Sequence, residues 1–514
     1  MNTNKKTTLH LAIAIASASA LSLGSIQVLA QNNTAYGTNA LISLTTGSSN
    51  SAFGENALMD TTTGFNNLAT GHDSLQANIS GSSNTASGTN SLYSNTSGIS
   101  NTAIGYNSLY ENIAGGHNTA AGFVSLRSNT SGENNTANGS FSLWDNLTGS
   151  NNTANGYLSL QRNENGNFNT ALGAESLLTN TSGSENTATG YQSLFSNSTG
   201  RRNLANGVTS LYSNTIGNDN AAMGSSALYA NTSGSSNMAI GSFALSQNTT
   251  GDFNSAVGES ALYSSTTGNN NSAQGAGTLN ANTTGINNVG VGSLSLVQNT
   301  TGNYNLGIGT GAGFSSTTGS RNIFLGYTAG AFETGSNKLY ISSNETTPLL
   351  YGVMSTSPAN NKLGIGTNNV SGGSALAVWN GASLSVGGVW TNASSRELKD
   401  DIETLSADDA NAALAALSPV RYVYKNSRDE EYVGFIAEDV PDLVATNDHK
   451  SLSPMDIVAV LTTVTKDQKT KVAEEMAEKD AEIADLKERM LQMEMALAEV
   501  LRRQTGEVQV GMSN

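Results

Sequence analysis

Residues 101–117 read NTAIGYNSLYENIAGGH, and residues 118–134 read NTAAGFVSLRSNTSGEN. With each Asn set at offset zero, the two stretches agree at the Asn, at Thr-Ala, at Gly (offset four), at Ser-Leu (seven and eight), at a second Asn (eleven) and at a second Gly (fourteen). The unit runs from Asn33 to Gly326 without insertion or deletion. The first Gly recurs from Gly37 to Gly326, the Leu from Leu41 to Leu296, and the second Gly from Gly47 to Gly319. A fixed period means that each unit is one structural turn stacked on a near-identical neighbour. More than half of the chain is therefore expected to be a rod, suited to spacing or display rather than catalysis.

Seventeen residues are too few for a helix–turn–helix unit, and two Gly per unit would break helices. The residues instead suggest two strand-sized pieces per unit, N-T-A-x-G and S-L-x-x-N-T, separated by turns. The expected fold is mainly β, a parallel β-solenoid or β-roll with one coil per unit. Ala at offset two and Gly at offset four share one strand face and permit close packing. Leu at offset eight fills the core. Asn and Thr at fixed offsets stack into hydrogen-bonded ladders. Eighteen coils at about 4.8 Å give a rod of about 86 Å. The run Gly307–Gly313 spells a glycine-rich loop, but it lies in register with the repeat and opens no helix, so it is not read as a phosphate cradle. The N-x-S/T sequons follow from the repeat and are not evidence of glycosylation.

A net charge of −16 argues against nucleic acid as a partner. There is no cysteine, which excludes disulfides and thiolate metal sites and suits export to an oxidising compartment. Lys5 and Lys6 precede an apolar stretch from Leu9 to Leu23, and Val28-Leu29-Ala30 fits a signal-peptidase site with Gln31 as first mature residue. Residues 1–30 are accordingly read as a signal peptide, the alternative being an uncleaved anchor. The expected location is the bacterial cell surface or exterior, with no integral membrane segment after signal removal. His10, His72, His117 and His449 are scattered and suggest no triad or metal site. No cofactor is implied.

The repeat resembles the head repeats of trimeric bacterial adhesins, whose A-I-G-x-x-S motifs match Ala103-Ile104-Gly105-Tyr106-Asn107-Ser108. That resemblance implies a parallel β-roll and surface adhesion, with host-cell or surface glycans as candidate partners. The unit here is longer than the adhesins', and their C-terminal membrane barrel has no counterpart in this charged C-terminus.

After Gly326 the register ends. Lys338–Ser342, Pro348–Gly352 and Lys362–Thr367 are strand-like, so residues 327–393 form a β-rich neck. Charge and helical periodicity rise at Ser394. An Ala-rich helix is expected around 407–417, and a long helix near Pro454. The sequence places an α+β core at 394–455, a coiled-coil helix at 456–505 and a tail at 506–514. Ile483, Leu486, Met490, Met493, Leu497 and Val500 alternate at spacings of three and four. Ile457, Leu461 and Val464 are read as the start of the same stripe. Self-association is expected, the alternative being a helix folded back on its own domain.

The order S-x-x-x-L-K (Ser394 to Lys399), S-P-V-x-Y (Ser418 to Tyr422) and V-G-F-I-A-E-D-V-P (Val433 to Pro441) resembles the peptidase S74 intramolecular chaperone of phage tail spikes and fibres. That resemblance implies a homotrimer and a single self-cleavage between Ala393 and Ser394. Ser394 would be the nucleophile and Lys399 the proton acceptor. The second motif residue, often Asp in tailspikes, is Ser395 here. At most this is a single-turnover Ser/Lys endopeptidase. Ser394-x-x-Glu397 is equally a capping box opening a helix through Leu398 and Ile402. Three overall readings stay open: a self-cleaving trimeric fibre, a surface adhesin that keeps its C-terminal module, and a polysaccharide depolymerase using acids such as Asp60, Asp73, Glu111 and Asp145.

Overall fold

Each 17-residue unit closes one turn of a solenoid, and the three residues after the offset-zero Asn form its strand. Thr136–Asn138, for example, pairs in parallel and in flush register with Thr119–Ala121 before it and Thr153–Asn155 after it. The structure, a computed structural model, describes residues 26–29, 32–370, 374–391, 396–446 and 448–507. The chain divides into two compact units, Met1–Ala393 and Ser394–Asn514. Of the segment read as a signal peptide, only the strand Ile26–Leu29 is described, and it runs antiparallel to Asn33–Tyr36. Ala30 and Gln31 lie outside the described residues.

The expectation of one coil per unit holds, but each coil has one strand rather than two. The segment S-L-x-x-N-T is a run of tight turns. Its core Leu adopts the left-handed backbone conformation in all sixteen units, with φ between 48° and 55°. That conformation costs an L-residue about 1–2 kcal/mol. It is held because the turn drives the Leu side chain inward, where Leu58 to Leu296 are fully buried beside the Ala column.

The core is as much polar as apolar. The offset-zero Asn is buried in every coil, and its side chain bridges its own coil to the next. Asn135 donates its amide to the Gly149 carbonyl (2.8 Å), and its oxygen accepts the backbone N–H of Asn152 (3.0 Å). The ladder runs to Asn322, whose oxygen takes the N–H of Lys338 in the neck (2.9 Å). A second ladder uses the offset-eleven Asn. Asn146 donates to Asn129 (2.8 Å) and Gly149 (2.9 Å) and accepts from Asn163 (2.7 Å). These ladders need the coils very close. A Cβ on Gly149 would lie 2.4 Å from the Gly166 carbonyl oxygen, so only Gly fits there.

The last coils change their filling. Leu gives way to Gly313 and Gly330, and the offset-two Ala becomes Phe324, whose ring occupies the space a Cβ on either Gly would need. Phe324 meets Tyr340 (5.9 Å between ring centres), and Tyr340 meets Tyr351 (4.9 Å). The solenoid sheet passes without a break into the neck, since Ile323–Leu325 pairs in parallel with Leu339–Ile341. The neck strands Lys338–Ile341, Leu350–Val353 and Lys362–Ile365 follow the sequence reading. Ser374–Val378, Ser383–Ser385 and Trp390–Thr391 were not read from it. The neck core is Tyr351, Val370 and Ala377.

In the second unit, helix α1 (Ala407–Ala416) packs on helix α2 (Pro454–Glu507). Ala410, Ala413, Val440, Val444, Val460 and Val464 form its core. Asn411 reaches Asp467 (3.0 Å), which also holds Lys471 (2.8 Å), and both contacts depress the Asp467 carboxyl. A hairpin of Val420–Tyr424 and Ser427–Gly434 lies between the helices in sequence. Among the described residues no helix is long and apolar enough to cross a membrane.

Two outcomes test this account. Asn146→Ala orphans at least two buried polar groups at about 1–3 kcal/mol each, so local stability should fall by about 3 kcal/mol. Leu143→Ala should cost about 2–5 kcal/mol, and exposed Gln247→Ala less than about 0.5 kcal/mol. Hydrogen exchange over residues 135–168 reads the first two, and equal protection in all three variants would refute the ladder. The second outcome concerns pH. The buried polar side chains of the solenoid are Asn, Ser and Thr, which do not titrate. Tyr340 does, and burial together with the Glu333 carboxylate (2.8 Å) pushes its phenol far above the ordinary value. The fold favours the neutral phenol. Its contribution is therefore complete below about pH 10 and is lost as pH rises beyond that. The neck should loosen in alkali before the solenoid does, and Tyr340→Phe should remove that step.

Candidate functional site

The first unit ends on the strand Trp390–Thr391, and the description resumes at Arg396. Ala393, Ser394 and Ser395 lie outside the described residues. Arg396–Leu398 is a single 3₁₀ turn, and the Lys399 N–H donates to the Arg396 carbonyl (3.2 Å). The Lys399 side chain is exposed in the single chain. The helix that the Ser394–Glu397 capping box would open does not continue through Ile402. Asp401 takes a left-handed conformation (φ 51°), and Ile402 is half exposed. A capping box among the described residues stands twelve residues further on. The Ser406 hydroxyl accepts the Asp409 N–H (3.1 Å) and donates to the Asp409 carboxylate (2.6 Å), opening α1. The sequence spells both boxes, Ser-x-x-Glu and Ser-x-x-Asp.

The V-G-F-I-A-E-D-V-P stretch carries the chain from the hairpin into the core. Val433 is 72% exposed, Phe435 packs against the core cluster, and Val440 is buried in it. The hairpin presents both faces to solvent. Val423 and Tyr424 are exposed on one strand and Val433 on the other, while Tyr422 stacks on Tyr432 (6.0 Å). The Tyr432 hydroxyl donates to Glu430, and that contact raises its phenol.

Helix α2 has two apolar faces with different uses. Ile457, Val460 and Val464 face the module's own core. Ile457 and Val464 are therefore not the start of the distal stripe, as the sequence reading held. Ile483, Leu486, Met490, Met493, Leu497 and Val500 are all exposed, as is every residue from Gln468 to Gln504. Counting back by heptads, Ile483 leads to Met476 and Met455 and Leu486 leads to Val472 and Val458, all exposed, but Lys479, Lys469, Thr465 and Thr462 stand between them. The continuous apolar seam is therefore the distal part of the 54-residue helix, from Ile483 to Val500.

The solenoid surface carries a feature that the repeat consensus concealed. In four consecutive coils the variable positions at offsets five, six and nine turn aromatic. Tyr106 stacks on Phe123 (5.5 Å), Phe123 meets Phe141 (5.4 Å), and Phe141 meets Trp144 (5.3 Å) and Tyr157 (6.3 Å). The Trp144 indole N–H is buried without a partner. Arg127 lies over Tyr110 (5.4 Å) and pairs with Glu111 (3.0 Å). Beside them, burial raises the Asp145 carboxyl, opposed by Arg162 and Arg127. The signal was present as aromatic residues at equal offsets in successive units, but the sequence reading treated those positions as filler. His72 sits by Asp73 (2.9 Å) and His449 by Asp442 (3.0 Å). No cluster of potential metal ligands occurs among the described residues.

Residues 394–447 match the Peptidase_S74 family, described as the chaperone of endosialidase. The match covers about a tenth of the chain and begins at the residue that opens the second compact unit. No curated protein and no solved structure matches the chain. The protein is a β-solenoid followed by an α+β unit that bears an S74-type chaperone domain.

Proposed function

We propose that the protein is an exported, trimeric surface fibre, assembled by its C-terminal module, which then cuts itself away before Ser394. The observation that carries this reading is a coincidence of boundaries: the S74 match and the second compact unit both begin at Ser394. Trimerisation is supported by the exposed seam of α2 and by the uncovered hairpin. An isolated two-stranded hairpin is marginal in water, and an apolar seam at heptad spacing is suited to matching helices.

In this reaction the Ser394 Oγ attacks the Ala393 carbonyl carbon. Its proton passes to the Lys399 amine and on to the departing Ser394 nitrogen as the C–N bond breaks. Water then hydrolyses the ester, leaving a carboxylate on Ala393 and restoring the Ser394 hydroxyl. A lysine accepts a proton only when its amine is neutral, and burial favours that form. Lys399 is exposed in the single chain, and packing of neighbouring copies is what would enclose it.

Intact and native mass of the chain beginning at Gln31 test both claims. The expected products are residues 31–393 and 394–514, from a trimer. Ser394→Ala and Lys399→Ala should each slow cleavage by roughly a thousandfold or more while leaving the trimer, and Ser395→Ala should not. Leu486→Asp with Met493→Asp should disperse the trimer. A folded wild-type trimer that stays at full length would make the module a permanent stalk.

The ligand class proposed for the fibre is a surface glycan, held at the aromatic cluster around Phe141. Ring surfaces and flanking Arg and acid groups together suit a sugar's C–H faces and hydroxyls. The depolymerase reading would draw on acids in the same cluster, Asp145 and Glu111. Glycan-array binding that survives Trp144→Ala with Tyr157→Ala would exclude this site, and release of shorter saccharides would favour hydrolysis over display.

A further inference from the structure

The solenoid has one sheet, and its outer face has an unusual composition. The strand residues that point outward stand at offsets one and three, from Thr34 and Tyr36 to Ile323 and Leu325. None of them is Asp, Glu, Lys, Arg or His. Columns at offsets five, six, nine, ten, twelve, fifteen and sixteen each carry charges in some coils, among them Glu55, Asp73, Arg127, Asp145, Glu164 and Glu133. The strand face carries instead Thr, Ser and Asn mixed with exposed Phe53, Leu68, Ile104, Leu172, Leu204 and Ile308. Flush register from coil to coil keeps both columns straight along the rod.

A parallel sheet is almost always covered on both faces. Here the inner face is covered by the Leu and Ala columns, and the outer face is open to solvent. We infer that this uncharged strand face is where copies of the chain pack against one another, side by side and parallel, along the length of the solenoid. Three properties point to a second copy. The face runs the whole solenoid, about 80 Å, which another rod of equal length covers in full. With two side-chain columns making it about 10 Å wide, it offers about 800 Å² per copy, shared in a trimer between two neighbours, so that the three contacts together bury about 2,400 Å². It is also free of acids in a chain of net charge −16, so identical copies meet there without like-charge repulsion. In a threefold arrangement the offset-one column of one copy faces the offset-three column of the next.

This inference rests on the trimeric reading, and the test separates the two. The chain contains no cysteine, so a single introduced thiol is unambiguous. Full-length Thr153→Cys, at offset one, and Gln247→Cys, at exposed offset ten, are treated with a short bifunctional maleimide, with native mass recorded in parallel. The expected result is a trimer in which Thr153→Cys joins chains at least about ten times faster than Gln247→Cys, because the thiols are held at high effective concentration. Should the substitution at Thr153 disturb folding, Asn155→Cys at offset three gives the same readout. A trimer in which the face variants join chains no faster than Gln247→Cys overturns the inference and leaves the assembly by α2 standing. A monomer overturns both.

Discussion

The structure depends on the close stacking of one 17-residue coil on the next. At the second glycine of each unit the backbone of one coil comes so near the next that no side chain fits between them. The two Asn ladders need that proximity. Each amide spans from a carbonyl of its own coil to a group in a neighbour, so the buried amides of an intact ladder are paired. A solenoid this thin has room for one Leu and one or two Ala in most coils. The polar ladders supply what a wide hydrophobic core would supply elsewhere, and in a low-dielectric interior a fully satisfied network is rigid as well as stabilising. Where the pattern lapses, the cost is visible. Ser265 interrupts the second ladder, and both its hydroxyl and the Asn248 side-chain oxygen are left without partners.

The period, the coil per unit and the burial of Leu were legible because strict recurrence admits few foldings. The local backbone was not. S-L-x-x-N-T looks like a strand to any reading based on alternation, since a Leu in the left-handed region is disfavoured on its own. Only the stacked neighbours make sixteen of them acceptable. At the junction the helix expected around 407–417 is present as α1, while residues 399–402 are not helical. Two capping boxes stand twelve residues apart, and local spelling ranks them equally. The packing of Ala410 and Ala413 on α2 selects Ser406. Ile457 and Val464 were misassigned because heptad spacing says that a face is apolar without saying what covers it.

Chain pairing within the solenoid is entirely between consecutive coils of one copy. A register error between copies would therefore not scramble strands. It would slide one rod along another by a whole coil, about 4.8 Å, with nearly identical contacts. Levelling the copies from one end would address that degeneracy, and under the proposed trimeric reading the C-terminal module would do so.

The need for a trigger also follows from the coil itself. Three non-glycine residues per coil in most units, at offsets six, eight and sixteen, hold left-handed conformations. At about 1 kcal/mol or more each, a lone coil is uphill by about 3 kcal/mol before any stacking contact is made. Propagation onto an existing coil recovers that cost, so the array behaves as a one-dimensional chain with an expensive first step. The neck offers the first step a ready surface. Its strand Lys338–Ile341 continues the solenoid sheet, the Asn322 ladder ends on it, and Phe324 seats against Tyr340. Coils laid down from that edge would build toward the N-terminus. Once they are in place, their contacts are with one another and with the neck, so under the proposed cleavage the loss of residues 394–514 would leave the stacking intact.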